Sequence, residues 1–228
     1  MAATTVGEVV RRVKLILQEV SAEGIRWNNS ELLGWVNESY QAIVSAVPDA
    51  GSVTETVACV SGTRQSIPAA GDRLLDVIRN LSTGMAVIGT SMHALDATRR
   101  RWHSEPKTNE IEHFMFDERD PRSFYVYPPV NAGVEIEIIY SSVPVGHEMS
   151  NLEAVKNDVI LLSDRYAPAI VDYVLMRAYT KDAEHSQNIN RAQLHANNFN
   201  SQVGLKVQGD MIKSPNAPKM SEMLGRTQ

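Results

Sequence analysis

Hydrophobic positions along the chain follow two periods, and the change of period divides it. Val6, Val9, Val10, Val13, Ile16, Leu17 and Val20 recur every three or four residues, with Arg11, Arg12, Lys14 and Glu19 elsewhere. That spacing puts one apolar stripe along a helix. Thr5 with Glu8 three positions on is a capping-box start, and Gly24 ends or follows the helix. Asn28-Asn29-Ser30 opens a second helix, with Leu32, Leu33, Trp35, Val36, Tyr40, Ile43, Val44 and Val47 as its apolar positions and Pro48 as its stop. Two amphipathic helices joined by a short turn predict an antiparallel pair.

From Ser52 the period becomes that of strands. Ser52 to Val60 is β-prone, and Ser61-Gly62-Thr63 reads as a turn. Leu74 to Arg79 and Ile111 to Phe116 read as strands, with Ala86 to Ile88 and Ser91 to Leu95 as weaker ones. Asp120-Pro121-Arg122-Ser123 is a turn. Phe124 to Tyr127 and Val134 to Tyr140 read as a strand pair, separated by Pro128, Pro129, Asn131 and Gly133. In the second of these, Val134, Ile136, Ile138 and Tyr140 share one face and Glu135 and Glu137 the other, as in a half-buried antiparallel strand.

Helical spacing returns after Ser150. Asp164 is a candidate cap, and Pro168 fits only the first turn of a helix. Ile170, Val171, Val174, Leu175 and Ala178 form its stripe. A further helix carries Ile189, Ala192, Ala196, Phe199 and Val203, with Gly204 as its expected stop. Beyond it Gly209, Pro215, Pro218 and Gly225 interrupt any pattern, while Met211, Ile212, Met220, Met223 and Leu224 remain apolar without a period. Such a tail alone is extended or disordered, and its apolar content marks it as a candidate docking segment. The expected fold class is α+β: a helical bundle built from N- and C-terminal helix pairs, an inserted antiparallel β module and an extended C-terminal tail. The corresponding segments are 1-50, 51-150, 151-206 and 207-228. No internal repeat or low-complexity run is visible.

Composition narrows the function classes. Hydrophobic residues make up 43% and charged residues 21% of the 228 positions, which supports a packed core and argues against disorder. The net charge of -5 argues against general nucleic-acid binding, which calls for a basic surplus. A mildly acidic surface still lets a DNA strand pass without sticking. Glu8, Arg11 and Arg12 break up the N-terminus where a signal peptide needs an apolar run, and no stretch approaches about 18 apolar residues, so no membrane span is expected. Cys59 is the only cysteine.

Candidate chemistry is sparse. There is no phosphate loop, dinucleotide fingerprint or nucleophile elbow, and Gly71-Asp72-Arg73 has a single glycine. None of the histidines, His93, His103, His113, His147, His185 and His195, has another at helical ligand spacing. Glu135 and Glu137 read as a solvated pair on an exposed strand face. Cys59 reads as a small buried residue rather than a nucleophile. Trp27, Trp35 and Trp102 read as core or interface anchors. Arg99-Arg100-Arg101, followed by Trp102, is the one basic run beside an aromatic. It is the candidate polar-interface or DNA-facing loop, against the blander reading of a solvated loop. No catalytic, cofactor-binding or metal-binding residue is assigned, and the chain reads as non-enzymatic.

Several strings carry a family resemblance. They are Arg26-Trp27 with Glu31-Leu32-Leu33, Trp35 and Asn37; Arg73 to Asn80; Trp102-His103; Phe124 to Pro129 with Tyr140; and Tyr166 to Tyr173, continuing through Arg177 to Glu184, Arg191-Ala192, Phe199 and Gly204-Leu205-Lys206. In this order they resemble head-to-tail adaptor (connector) proteins of short-tailed bacteriophages. Met176 departs from the pattern, where the family has an aromatic. The resemblance implies a structural virion protein at the head–tail junction, assembled in the host cytoplasm. It further implies a twelve-fold ring between the portal protein and the tail nozzle protein, with DNA passing through the lumen without specific binding and no membrane contact. The family brings no cofactor and no catalytic residue. The alternatives are another tail-completion or nozzle subunit, or a DNA-binding module using the arginine run.

Overall fold

The structure, a computed structural model, describes residues 3–19, 21–22, 24–117, 119–182 and 186–213, with side chains to residue 204 apart from Ser186. Contacts divide the chain into two compact units, Pro48–Pro144 and a second made of Met1–Val47 with Val145–Gln228. By contacts the β unit ends at Pro144, and the chain from Val145 belongs with the helices. Asn37 on the second helix accounts for this: its Nδ2 donates to the His147 carbonyl and its Oδ1 accepts the His147 N–H, both at 2.8 Å.

The helical unit contains α1 (Val6–Leu17), α2 (Asn29–Ala46), a short α4 (Leu152–Val155), α5 (Ala167–Lys181) and α6 (Ser186–Lys213). The Thr5 hydroxyl accepts from the Glu8 N–H at 3.2 Å and starts α1, although the Glu8 carboxylate turns to Arg12 instead of closing the box. Val6, Val9, Val10, Val13 and Leu17 are buried, while Ile16, predicted on the stripe, flanks it and stays exposed. Gln18 at φ 58° ends the helix. Val20 lies outside the described residues. Gly24 follows in the linker at φ +84°, where an added Cβ would lie 2.0 Å from the Trp27 carbonyl. Asn28 caps α2 by accepting from the Glu31 N–H at 2.8 Å.

α5 is the common surface of this unit. α1, α2 and α6 all pack on it, and α1 and α2 meet it more than each other. Ala169, Ile170, Val174, Leu175 and Ala178 are buried there, each large aliphatic among them contributing about 1.5–3 kcal/mol. Asp164 does not cap this helix; it lies in the preceding 3-10 turn and accepts from the Thr4 N–H at 2.9 Å. The expected stop at Gly204 is also overturned. α6 runs on through it, and through Gly209, to Lys213, because a helix of 28 residues can carry glycines that each cost only about 1 kcal/mol.

The β unit contains β1 (Ser52–Ala58), β2 (Gly62–Ser66), β3 (Arg73–Asn80), β4 (Ile88–Gly89), α3 (Met92–Thr98), β5 (His113–Phe116), β6 (Ser123–Val130) and β7 (Glu135–Ser141). They form a three-stranded sheet ordered β1-β7-β3 and a four-stranded sheet ordered β2-β6-β5-β4. All pairings are antiparallel except β4 with β5. Three expectations fail here. β6 and β7 do not pair; they sit in different sheets, and the core lies between them. Ile136, Ile138 and Tyr140 of β7 meet Phe124, Val126 and Val130 of β6, with Leu74, Val77, Ile111 and Cys59 around them. Ser91 to Leu95 is not a strand but the start of α3, since Ala94, Leu95 and Ala97 favour helix. Gly62-Thr63 opens β2 as well as turning the chain.

Candidate interaction surfaces and family

The arginine run follows a helix instead of a weak strand, and its three members part company. Arg99 terminates α3. Its Nη1 donates to the Tyr127 hydroxyl at 2.6 Å, its guanidinium lies 5.5 Å from the centre of that ring, and Glu105 is 3.5 Å away. The Tyr127 hydroxyl in turn donates to Glu105 at 3.0 Å. Burial first, then this hydrogen bond, raises the Tyr127 pKa. Trp102 is fully buried with Leu95, Met115 and Tyr127, and its indole N–H donates to Asp96 at 3.0 Å. His103 stacks on it at 3.6 Å and meets the Thr63 hydroxyl through Nδ1 at 2.8 Å. Arg100 and Arg101 are exposed and make no ion pair or side-chain hydrogen bond with any described residue. One arginine braces the fold and two face solvent.

Of the tail candidates, Met211 and Ile212 lie in the last turn of α6. Met220, Met223 and Leu224 lie outside the described residues.

The helical unit carries a surface that the sequence pattern hid. Leu15, Ile16, Pro168, Val171 and Leu175 line an apolar groove of about 470 Å³, with Arg12, Asp172 and His195 at its rim. The rim is held by hydrogen bonds: His195 Nδ1 meets Asp172 at 2.6 Å and Gln202 donates to the other Asp172 oxygen at 2.7 Å. In sequence Ile16 falls on the buried stripe and Leu15 carries no mark. Only the ending of α1 beside α5 shows that their side chains stay uncovered.

A histidine with a buried side chain joins α2 to the chain after the β unit. His147 Nε2 lies 3.0 Å from the Tyr40 hydroxyl, and Nδ1 lies 3.8 Å from Asp158. Burial pushes Tyr40 up to about 12. Burial also lowers His147 below its usual 6.5, with Asp158 pulling the other way. A lowered folded-state pKa means that the unfolded chain takes up the proton first as pH falls. Stability from this site is therefore complete above about pH 6.5 and declines below it, until the folded-state pKa is passed. His147→Gln removes the titration. Urea midpoints at pH 7 and pH 5 are expected to differ less for the variant than for the wild type.

The remaining candidates hold no reactive arrangement. Cys59 is buried in the sheet core, and burial pushes its thiol up to about 11, far from the reactive thiolate. Glu137 is bound to Arg79 at 2.7 Å. Trp27 donates to the Ala178 carbonyl at 3.3 Å. Among the described residues no group of three His, Cys, Asp or Glu side chains could hold a metal ion, and no helix is long and apolar enough to cross a membrane.

The family profile described as SU10 adaptor protein matches residues 4–219, which takes in both units. The chain belongs to this adaptor family. No curated protein matches it. The role of the adaptor is accordingly structural and not enzymatic: a head-to-tail adaptor in the virion of a bacteriophage.

Proposed function

We propose that twelve copies of the adaptor close into a ring between the portal and the tail nozzle, assembled in the host cytoplasm and leaving a lumen for DNA. The observation that carries this reading is the family match across residues 4–219. A closed ring needs two different patches on each copy, joined head to tail. The groove between α1 and α5 and the exposed Ile189 and Leu194 of α6 offer apolar surface for such contacts. The net charge of -5 suits a lumen that DNA crosses without being held. The C-terminal segment with Met211, Ile212, Met220, Met223 and Leu224 is assigned to the portal. The contacts that it makes there are missing from the free chain, so the isolated protein is expected to be monomeric.

Sedimentation of the purified protein, alone and with portal, tests this. A monomer that forms rings only on portal is the expected result; a stable free ring at micromolar concentration contradicts it. Removing Met211 to Gln228 is expected to leave helical circular dichroism nearly intact and abolish portal binding. Normal binding by the shortened chain sinks the docking role of the segment.

The exposure of Arg100 and Arg101 favours a second reading, in which they grip DNA phosphates. Under it, wild-type protein binds duplex DNA with a steep salt slope. Replacing Arg99, Arg100 and Arg101 by alanine then flattens that slope by about two units, one for each free arginine. Under the adaptor reading, anisotropy titrations at two salt concentrations show negligible affinity before and after. Micromolar wild-type binding lost in the triple variant overturns the purely structural account.

A further inference from the structure

Sheet edges attract other strands, and folded proteins normally blunt them. In the β unit three of the four edges are blunted. β4 is two residues long. β2 is short and carries a bulge between Gly62 and Arg64. β3 has its outer groups taken: the Leu74 N–H bonds to the Pro121 carbonyl, the Val87 N–H to the Ile78 carbonyl and the Asn80 N–H to the Met85 carbonyl, at 2.9, 3.1 and 2.9 Å.

β1 is different. It pairs with β7 in unbroken register from Ser52↔Ser141 to Ala58↔Glu135. The Cys59 N–H donates to Val134 and its carbonyl accepts from Gly133, while the Gly51 carbonyl accepts from Ser142. The odd-numbered residues therefore face β7, and strand alternation turns the N–H and C=O of Ser52, Thr54, Thr56 and Ala58 outward. No described residue bonds to those groups. The open ladder ends at Val60, whose N–H and C=O are both held by the Gln65 side chain at 2.8 Å. β1 contains no proline, no lysine and one charge, Glu55.

The side chains match. Val53, Glu55 and Val57 stand opposite Tyr140, Ile138 and Ile136, so they share the sheet's core-facing side. Val53 nevertheless remains 39% exposed, and Val57 is only half-buried. Glu55 accepts from the Tyr140 hydroxyl at 2.6 Å and keeps its carboxylate at the open edge.

We infer that β1 is a docking edge for an extended strand of a different protein, one carrying a cationic residue between two apolar residues. Strand addition would satisfy the outward groups of Ser52, Thr54, Thr56 and Ala58, cover Val53 and Val57, and set the cation against Glu55. A head-to-tail contact between copies through this edge needs a second open edge on the same chain, and the other three are blunted. Self-pairing of β1 that keeps every outward position bonded (Ser52 with Ala58, Thr54 with Thr56) sets Glu55 directly against its copy, where like charges repel.

Amide hydrogen exchange on the full-length protein tests the assignment, with the capped peptide Thr-Val-Thr-Lys-Thr-Val-Thr as probe. In the free protein the amides of Ser52, Thr54, Thr56 and Ala58 should exchange fast while those of Val53, Glu55 and Val57 are protected. Millimolar peptide should slow the first set about tenfold or more, in keeping with main-chain strand pairing. Thr56→Pro removes only an outward donor and should abolish the effect. Glu55→Lys should transfer preference to the peptide with glutamate in place of its lysine. Four outcomes overturn the inference: no slowing at millimolar peptide; equal slowing by a peptide N-methylated on alternate residues; protection already present in the free monomer, which makes the chain's own C-terminal segment the occupant; or protection that appears with concentration-dependent dimerisation, which makes it a second copy.

Discussion

Replacing Trp102 by alanine is expected to cost about 3–5 kcal/mol of stability, the range for emptying a fully buried indole site. The ring is 0% exposed and closes a satellite core with Leu95, Met115 and Tyr127. His103 stacks on one face, and Tyr125 and Tyr127 present their edges at 6.2 and 6.5 Å, so no neighbour is free to fill the space. The indole N–H bond to Asp96 is lost as well, but Asp96 is exposed and water takes the donor's place, so most of the cost is the emptied ring site. Trp102→Phe keeps most of the ring and forfeits that bond, and should cost about 1–2 kcal/mol. Urea unfolding followed by far-ultraviolet circular dichroism reads both variants. A loss under about 1 kcal/mol for the alanine variant means that the cluster repacks and is not a core.

Asn80→Ala should be nearly as damaging, for a different reason. Asn80 is fully buried at the end of β3, and its amide bonds both backbone groups of Ile111: Nδ2 donates to the carbonyl at 2.7 Å and Oδ1 accepts the N–H at 2.8 Å. Ile111 is itself 1% exposed, so water cannot replace the amide. Truncation leaves a donor and an acceptor buried without partners, at about 1–3 kcal/mol each. Asn80→Asp keeps the acceptor, loses the donor and buries a charge, so it should be worse than alanine at neutral pH and recover partly in acid. Denaturant midpoints at two pH values rank the three proteins. Aspartate equal to alanine at both would show that water reaches the site.

The sequence made the strongly periodic parts legible. Thr5 and Asn28 cap the helices where their side chains suggest, and β7 buries its even-numbered residues and exposes Glu135. What failed depended on partners distant in sequence. Two adjacent strands with turn residues between them imply a hairpin locally, yet β6 is buried on both faces and needs neighbours on each side, which only β2 and β5 supply. Ser91 to Leu95 is too short for its period to separate helix from strand. Gly204 would stop a helix with nothing beyond it, but Gly204 and Gly209 each cost only about 1 kcal/mol in a helix of this length. The surface reading was partial in the same way. The arginine run was visible as charge, whereas the binding of Arg99 to Tyr127 and Glu105 was not. The open edge of β1 has no signature in a string of residues, because edge position is a property of the assembled sheet.

The order of the units along the chain bears on how the protein is made. The β unit is a single continuous stretch and emerges from the ribosome ahead of α5. Neither α1 nor α2 can bury its apolar stripe in the native way until α5 arrives, more than a hundred residues after α1. Contacts of such long separation form late and slowly, and domains of a growing chain fold as units once complete. Synthesis therefore favours an intermediate with a finished β unit and two unpartnered amphipathic helices, Val6–Leu17 and Asn29–Ala46. These are the segments that a chaperone would be expected to hold.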